Sequence, residues 1–406
     1  MDFQNFNSLA EALGIDSAGR ELWAGGWAQS QETYPYDGVY FLQENFINEL
    51  AELSSLQENA LLALQQAARQ IRDNDMLSRF AWHMHWRMNL AAPEDGFFPS
   101  PLPQPGTPLP CENGHLFTLA TLAPLPRLKK YYSLRGISQQ VLRDTMHDLQ
   151  VWTEAGFKKT GHYVCHNNNW LRNHMIPNLF ALGRLEFQFG SWHDPIQVFK
   201  HRQNKQLCFL ARGNEAISAE GFRFGNPGEQ TAFQTFYREE NQQVAGYPAN
   251  VGGTLEKTPV VLDLTEWELV LKAGEPILHL HIPAGAPLRK EDCIASLEEA
   301  WQFFPRFFPE YKFKALCCGS WLLDSTLSQY LPESNIATFQ QLFHLFPLPT
   351  ANGWQTLQRV FGDPDIEISQ APQKTTLQRL VKKHLMEGKF WHSGGAFLLP
   401  NEKLWQ

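Results

Sequence analysis

The chain has 406 residues, and its 34 Lys and Arg against 42 Asp and Glu give a formal net charge of −8. With no basic tail and no dense Lys/Arg stripe, that balance excludes a surface built for a phosphate backbone. Hydrophobic residues at 43% and charged residues at 19% exclude a disordered chain. The length suits two domains, or one large domain with an appendage.

Cys111, Cys165, Cys208, Cys293, Cys317 and Cys318 show neither metal-ligand spacing nor a paired framework. The start, Met1-Asp2-Phe3-Gln4, has no charged segment leading into an apolar core, and no apolar run reaches bilayer length. The setting expected is the cytoplasm with reduced thiols, and neither membrane nor nucleic acid is expected as a partner.

The first third reads as helical. Ser55 and Glu58 form a capping box before a helix with Leu61, Leu62, Leu64 and Ile71 on its apolar side. A second helix is expected from Asp75 to about Leu90, with Leu77, Phe80, Ala81, Met84 and Met88 inward. Residues 93–110 are rich in proline and read as a linker or long surface loop. Another amphipathic helix begins near Ser138, with Leu142, Met146 and Leu149 in line.

From about Gly183 the period changes to two: Leu185, Phe187 and Phe189 alternate with Arg184, Glu186 and Gln188. Strand-like runs follow at 206–211, 233–238, 260–264 and 277–282. In the last, Leu278, Leu280 and Ile282 share one face and His279 and His281 the other. Pro283-Ala284-Gly285-Ala286-Pro287 ends it, and a helix follows with Ile294, Leu297, Trp301 and Phe304 as its core stripe. Glu291 and Asp292 sit in its first turn, where the helix dipole favours carboxylates, and Pro305 is expected to stop it. Residues 313–318 then read as an interior strand. Such a unit closes as a parallel crossover, and sheets of this kind bind ligands where the loop leaves the first strand. Thr375 and Gln378 form a capping box for a late helix closed by Gly388, ahead of a last apolar run at 396–399. The fold class is therefore α+β: a helical domain over 1–150, with its proline-rich loop at 91–110, and a mixed sheet with crossover helices over 151–406.

Common nucleotide, zinc and serine-hydrolase motifs are absent. His162, Cys165, His166 and His174 cluster around Asn167-Asn168-Asn169, but their spacing fits no metal pattern, and polar loop and capping roles are the simpler reading. His83 and His85 read as ordinary interface histidines. Ser320 and Asp324 read as helix caps ahead of Tyr330. His279 and His281 stand out, because imidazole titrates near neutral pH and both precede a loop expected to line a cleft. Glu186 and Gln188 lie on the polar face of their strand and are candidates to reach the same cleft.

His281-Ile282-Pro283-Ala284-Gly285-Ala286-Pro287-Leu288, Phe303-Phe304-Pro305, Phe308-Pro309-Glu310, Cys318-Gly319-Ser320-Trp321-Leu322-Leu323-Asp324 and Leu331-Pro332-Glu333-Ser334-Asn335-Ile336 come in fixed order. With Leu182-Gly183-Arg184-Leu185-Glu186-Phe187-Gln188, they resemble bacterial acyltransferase-domain proteins, in which a helical N-acyltransferase-type domain precedes a GNAT-like one. The resemblance implies an acyl-CoA-dependent N-acyltransferase acting on a small amine-bearing molecule, with acyl-CoA as co-substrate and no metal. It implies His279 or His281 as base and Tyr330 as acid. The backbone of Ala284, Gly285, Ala286 and Leu288 would hold the pyrophosphate, and the pantetheine arm would run between the strands at 277–282 and 313–318. The usual Q/R-x-x-G-x-G/A loop is absent, and two prolines in its place supply no N–H. A catalytically inactive GNAT-like module that binds a ligand or partner is the rival reading, and a hydrolase using Cys165 or Ser320 a third. The oligomeric state stays open.

Overall fold

The computed structural model describes residues 5–90, 106, 109, 111–223, 228–349 and 353–405; nearly all of the proline-rich stretch at 91–110 lies outside them. The chain divides into two compact units, one of Met1–Leu182 with Pro283–Gly285 and one of Gly183–Ile282 with Ala286–Gln406. The division falls well after the expected boundary at 150, because the residues that follow pack as part of the helical unit. Thr118 Oγ1 donates to Asn168 Oδ1 (2.8 Å) and Trp170 Nε1 to Asp148 Oδ2 (2.7 Å).

The helical unit buries Leu9, Trp23, Phe41, Ile47, Leu50, Ile71, Phe80 and Met84. Ser55 does not open a capping box. It closes the preceding helix, Glu44–Ser54, in the left-handed region (φ 54°), and Gln57 precedes the next, Glu58–Arg72. In that helix Leu62 is exposed, whereas Ala60, Leu64, Ala67, Ala68 and Ile71 face inward. The helix expected as one piece from Asp75 is α-helical to His85 and then a π-helix over Trp86–Leu90. Ser138 caps Gln139–Met146 as expected, accepting from Val141 N–H.

The second unit is built on strands in the order Leu185–Ser191, Pro276–His281, Leu316–Ser320, Ser393–Leu398, His344–Leu348. Only Pro276–His281 and Leu316–Ser320, here called the histidine and cysteine strands, run parallel. The remaining neighbours are antiparallel. The strict alternation of the sequence sets two faces. Leu278 and Leu280 pair with Phe189 and Phe187, and the helix Lys290–Phe307 covers that side, with Phe304 5.4 Å from Phe189 and 6.2 Å from Phe187. The inward stripe of this helix is Cys293, Ser296, Leu297, Ala300, Phe303 and Phe304, while Ile294 and Trp301 lie half-buried at its margin. Pro305 is inside the last turn rather than at its end, since the helix runs on to Phe307.

On the opposite face Ile277, Cys317 and Phe397 join Trp192, Val198 and Phe209 in a second core. Val198 and Phe209 come from a smaller antiparallel sheet of Trp267–Leu271, Ile196–His201 and Leu207–Ala211. The single run expected at 233–238 is two strands, Phe233–Gln234 and Tyr237–Glu240, separated where Thr235 Oγ1 donates to Arg212 O (2.6 Å). The Thr375/Gln378 capping box is present on Thr376–Met386.

Candidate active site

Along the histidine strand the face opposite the long helix changes character, from apolar Ile277 to His279 and then His281. His279 pairs across the sheet with Gln188 and His281 with Glu186. His281 Nε2 lies 2.9 Å from Gln188 Oε1, within hydrogen-bond distance. Burial, and secondarily the charge of His193, lowers the His279 pKa, so the ring is neutral at pH 7. Its ring lies over Gly190, where a Cβ would come within 2.3 Å of Cδ2. Tyr311 fixes the same point, its hydroxyl proton shared between Gly190 O (2.5 Å) and Ile277 O (2.8 Å).

The two parallel strands part at their carboxyl ends. They pair at Leu278↔Leu316 and His279↔Cys317, and no further among the described residues. The histidine strand nevertheless keeps its antiparallel partner to His281↔Glu186, and the cysteine strand keeps its own to Ser320↔Gly394. Beyond His279↔Cys317, Leu280 and His281 are not paired with Cys318 and Gly319, and the ladder between the two strands opens into a gap at their carboxyl ends. Asp194, for which the sequence offered no motif, belongs beside this region. Burial pushes its carboxyl up to about 6 against the pull of Arg223, Arg212 and His193. It also adds to the burial that raises the thiols of Cys317 and Cys318.

After the histidine strand, Ala284, Gly285 and Ala286 are exposed and Leu288 is buried. Among the described residues the amides of these four donate no backbone hydrogen bond. Gly285 has φ +96°, and the space where a Cβ would stand is open for 4 Å around. Arg184 tethers the loop from the carbonyl side: its Nη2 donates to Ala286 O (2.7 Å) and its Nε to Pro287 O (3.0 Å). The turn that presents Arg184 rests on the long helix, where Arg184 N–H donates to Ser296 Oγ (2.7 Å). Gly183 (φ +64°) is needed there because a Cβ would meet Ser296 Oγ at 2.9 Å.

Tyr330 occupies a different part of the same unit from the two strand histidines. It lines a cavity of about 1010 Å³ together with His384, Lys389, Phe390 and His392. Its ring meets His384 edge-on at 5.6 Å, and its hydroxyl accepts from Lys389 Nζ at 3.4 Å. His392 is held on three sides: Phe222 stacks on it at 4.0 Å, Glu229 Oε1 lies 2.8 Å from Nε2, and Asp324 Oδ2 accepts from its backbone N–H (2.7 Å). Topology relates this cavity to the gap. Ser320 ends the cysteine strand opposite Gly394, the chain then turns to Asp324, and His392 immediately precedes the strand Ser393–Leu398. The wall therefore leaves the sheet at the edge where both parallel strands end.

The other sequence candidates take structural roles. Ser320 accepts from Leu322 N–H and Asp324 from Thr326 N–H, as caps. Cys165 is buried, and burial pushes its thiol up to about 12. Its neighbours disperse. His174 lies against the buried carboxylate of Asp148 (3.4 Å), whereas His162 and His166 line a separate cavity of about 700 Å³ in the helical unit. His83 and His85 are both buried in that unit.

The family model of the GNAT-like C-terminal domain matches residues 179–398, more than half of the chain. The chain belongs to this GNAT-like family. Ahead of the GNAT-like part, the N-acyltransferase N-terminal domain matches residues 45–176. Among solved structures the chain is similar to an acyltransferase mutant in complex with octanoyl-CoA (21% identity, TM-score 0.64, covering 98% of this chain and 99% of that one). It is similar as well to an acyltransferase in complex with decanoyl-CoA and teicoplanin (20% identity, TM-score 0.64, the same 98% and 99%). At these identities the likeness to the solved structures is one of fold. No curated protein matches the sequence. In this GNAT-like chain no helix among the described residues is long and apolar enough to cross a membrane.

Proposed function

We propose that the protein is an acyl-CoA-dependent N-acyltransferase acting on an amine-bearing small molecule. The observation that carries this reading is the parting of the two parallel strands beyond Leu278↔Leu316 and His279↔Cys317. Parallel strands that no longer pair with each other can offer N–H and C=O groups to the amide-rich pantetheine arm of a CoA thioester. Two similar acyltransferases are described as bound to octanoyl-CoA and decanoyl-CoA, the second also to teicoplanin, a further reason to look to acyl-CoA here.

In this reading the backbone amides of Ala284, Gly285, Ala286 and Leu288 hold the pyrophosphate, with Arg184 keeping the carbonyls of Ala286 and Pro287 turned away. The acceptor nitrogen attacks the thioester carbonyl. A C–N bond forms, the C–S bond breaks, the ammonium proton passes to a base, and the thiolate is protonated as it leaves as CoA. His279, neutral at pH 7, or His281 is the base and Tyr330 the acid. The cavity at the same sheet edge takes the acceptor. The free thiols of all six cysteines fit a reducing compartment such as the cytoplasm.

The test is calorimetric binding of acetyl-, octanoyl- and decanoyl-CoA to the wild type and to Gly285→Pro. Proline cannot adopt φ +96° and removes one amide, so the variant rearranges the loop while leaving the core intact. Binding by the wild type that is lost in a folded variant supports the reading. A folded wild type that binds no acyl-CoA overturns it in favour of a binding module.

A further inference from the structure

The cavity beneath Tyr330 has a charge pattern that names its ligand. Glu220 and Glu256 are exposed at its margin, and Glu229 stands deeper, its side chain 6% exposed, against His392. Behind His392 lies the buried carboxylate of Asp324. Among the described lining residues Lys389 is the sole Lys or Arg, and its ammonium is already 2.7 Å from Glu387. An anionic ligand would meet the exposed carboxylates of Glu220 and Glu256, a third in Glu229 that already faces His392, and an ammonium already paired with Glu387. A cation would meet carboxylates together with the aromatic side chains of Tyr330 and Phe390, the surroundings in which ammonium groups are held. The volume, about 1010 Å³, exceeds what a single alkylamine fills.

We propose that this pocket binds an organic cation carrying two or more ammonium groups. Its role as the acceptor, one amine being acylated while another is held by Glu220 and Glu256, rests on the acyltransferase reading above. Binding of the cation does not.

The measurement is calorimetry without acyl-CoA, using spermidine, butylamine and glutarate as probes. Spermidine is expected to bind, glutarate is not, and butylamine to bind at least about tenfold more weakly than spermidine because it offers one charge for the carboxylates. Substituting Glu220→Gln and Glu256→Gln together should weaken spermidine by about tenfold, and raising the salt to about 0.15 M should weaken it in the wild type more than in the variant. Both side chains are exposed, so a thermal melt is expected to show an intact fold. A second variant, Val251→Lys, places a cation on the wall at a position 98% exposed, and should weaken spermidine without disturbing packing. Failure of the folded wild type to bind spermidine at low salt, or binding unmoved by both variants, overturns the proposal. Spermidine binding by a protein that binds no acyl-CoA leaves the pocket assignment standing and removes the transferase reading alone.

Discussion

The imidazole of His279 lies directly over Gly190, so that a methyl group there would come 2.3 Å from Cδ2 and 2.5 Å from Nε2. Neither distance is tolerable, and in Gly190→Ala the ring must swing out of place. If His279 takes the proton of the acceptor amine, kcat/KM should fall by about tenfold or more, since a misplaced base forfeits part of the gain from general-base catalysis. Stability should drop by about 1–3 kcal/mol from the overpacking. Steady-state release of CoA thiol, read beside a thermal melt, separates the two effects. Unchanged turnover in a folded variant would remove His279 from the reaction.

Arg184 reaches the Ala286 and Pro287 carbonyls through two different nitrogens of one planar guanidinium. Lysine carries the charge but not the fork. Arg184→Lys should therefore loosen the loop without touching the reacting atoms: KM for acyl-CoA rises by about fivefold to tenfold, and kcat changes by less than about twofold. A fall in kcat at unchanged KM would place Arg184 in the chemical step.

Tyr311 binds the histidine strand to its antiparallel neighbour through one hydroxyl, which donates towards Gly190 O and Ile277 O and accepts from Gly190 N–H at 3.2 Å. Tyr311→Phe keeps the ring against Phe189 (4.6 Å) and deletes that hub. A loss of about 1–2 kcal/mol in urea unfolding is expected. A loss near zero would mean that water replaces the hydroxyl.

The parallel crossover was legible because a period of two, a proline-glycine stop and a helical stripe follow one another within one short stretch, and each has a local cause. The domain boundary was not. The change to a period of two near Gly183 coincides with the start of the second unit, but the place of residues 151–182 in the helical unit rests on partners far back in sequence, such as Thr118 for Asn168 and His115 for Tyr163. Ser55 misled for a similar reason, since a serine three residues before a glutamate also fits a left-handed helix end. In the site, His279 and His281 could be read from alternation alone. Asp194 could not, because its raised pKa comes from burial that only the folded chain supplies. The cavity at Tyr330 is assembled from Ser218–Glu256 loops, a short helix and the segment after Met386, which no local pattern relates.

Burial of His83 and His85 in the helical unit makes stability depend on pH in a calculable direction. Burial, the largest cause in both, lowers His83 to about 4 and His85 to about 3, with Arg87 adding to the first and Arg127 to the second. Once unfolded, each takes up its proton near 6.5, so between about 6.5 and about 4 the unfolded chain holds more protons than the folded one. Stability is then complete above pH 6.5 and is lost as pH falls, by up to about 1.4 kcal/mol per pH unit for each histidine. His83→Asn removes one of the two titrations. Its hydrogen bonds to Ser30 Oγ (2.8 Å) and Trp23 O (2.7 Å) are weakened, so the variant is less stable at every pH. The diagnostic is therefore the slope and not the intercept: between pH 4.5 and 6, urea unfolding of the variant should vary with pH by about 1 kcal/mol per unit less than that of the wild type. Parallel slopes would mean that His83 holds its proton as tightly folded as unfolded, which its burial between Trp27 and Trp86 argues against.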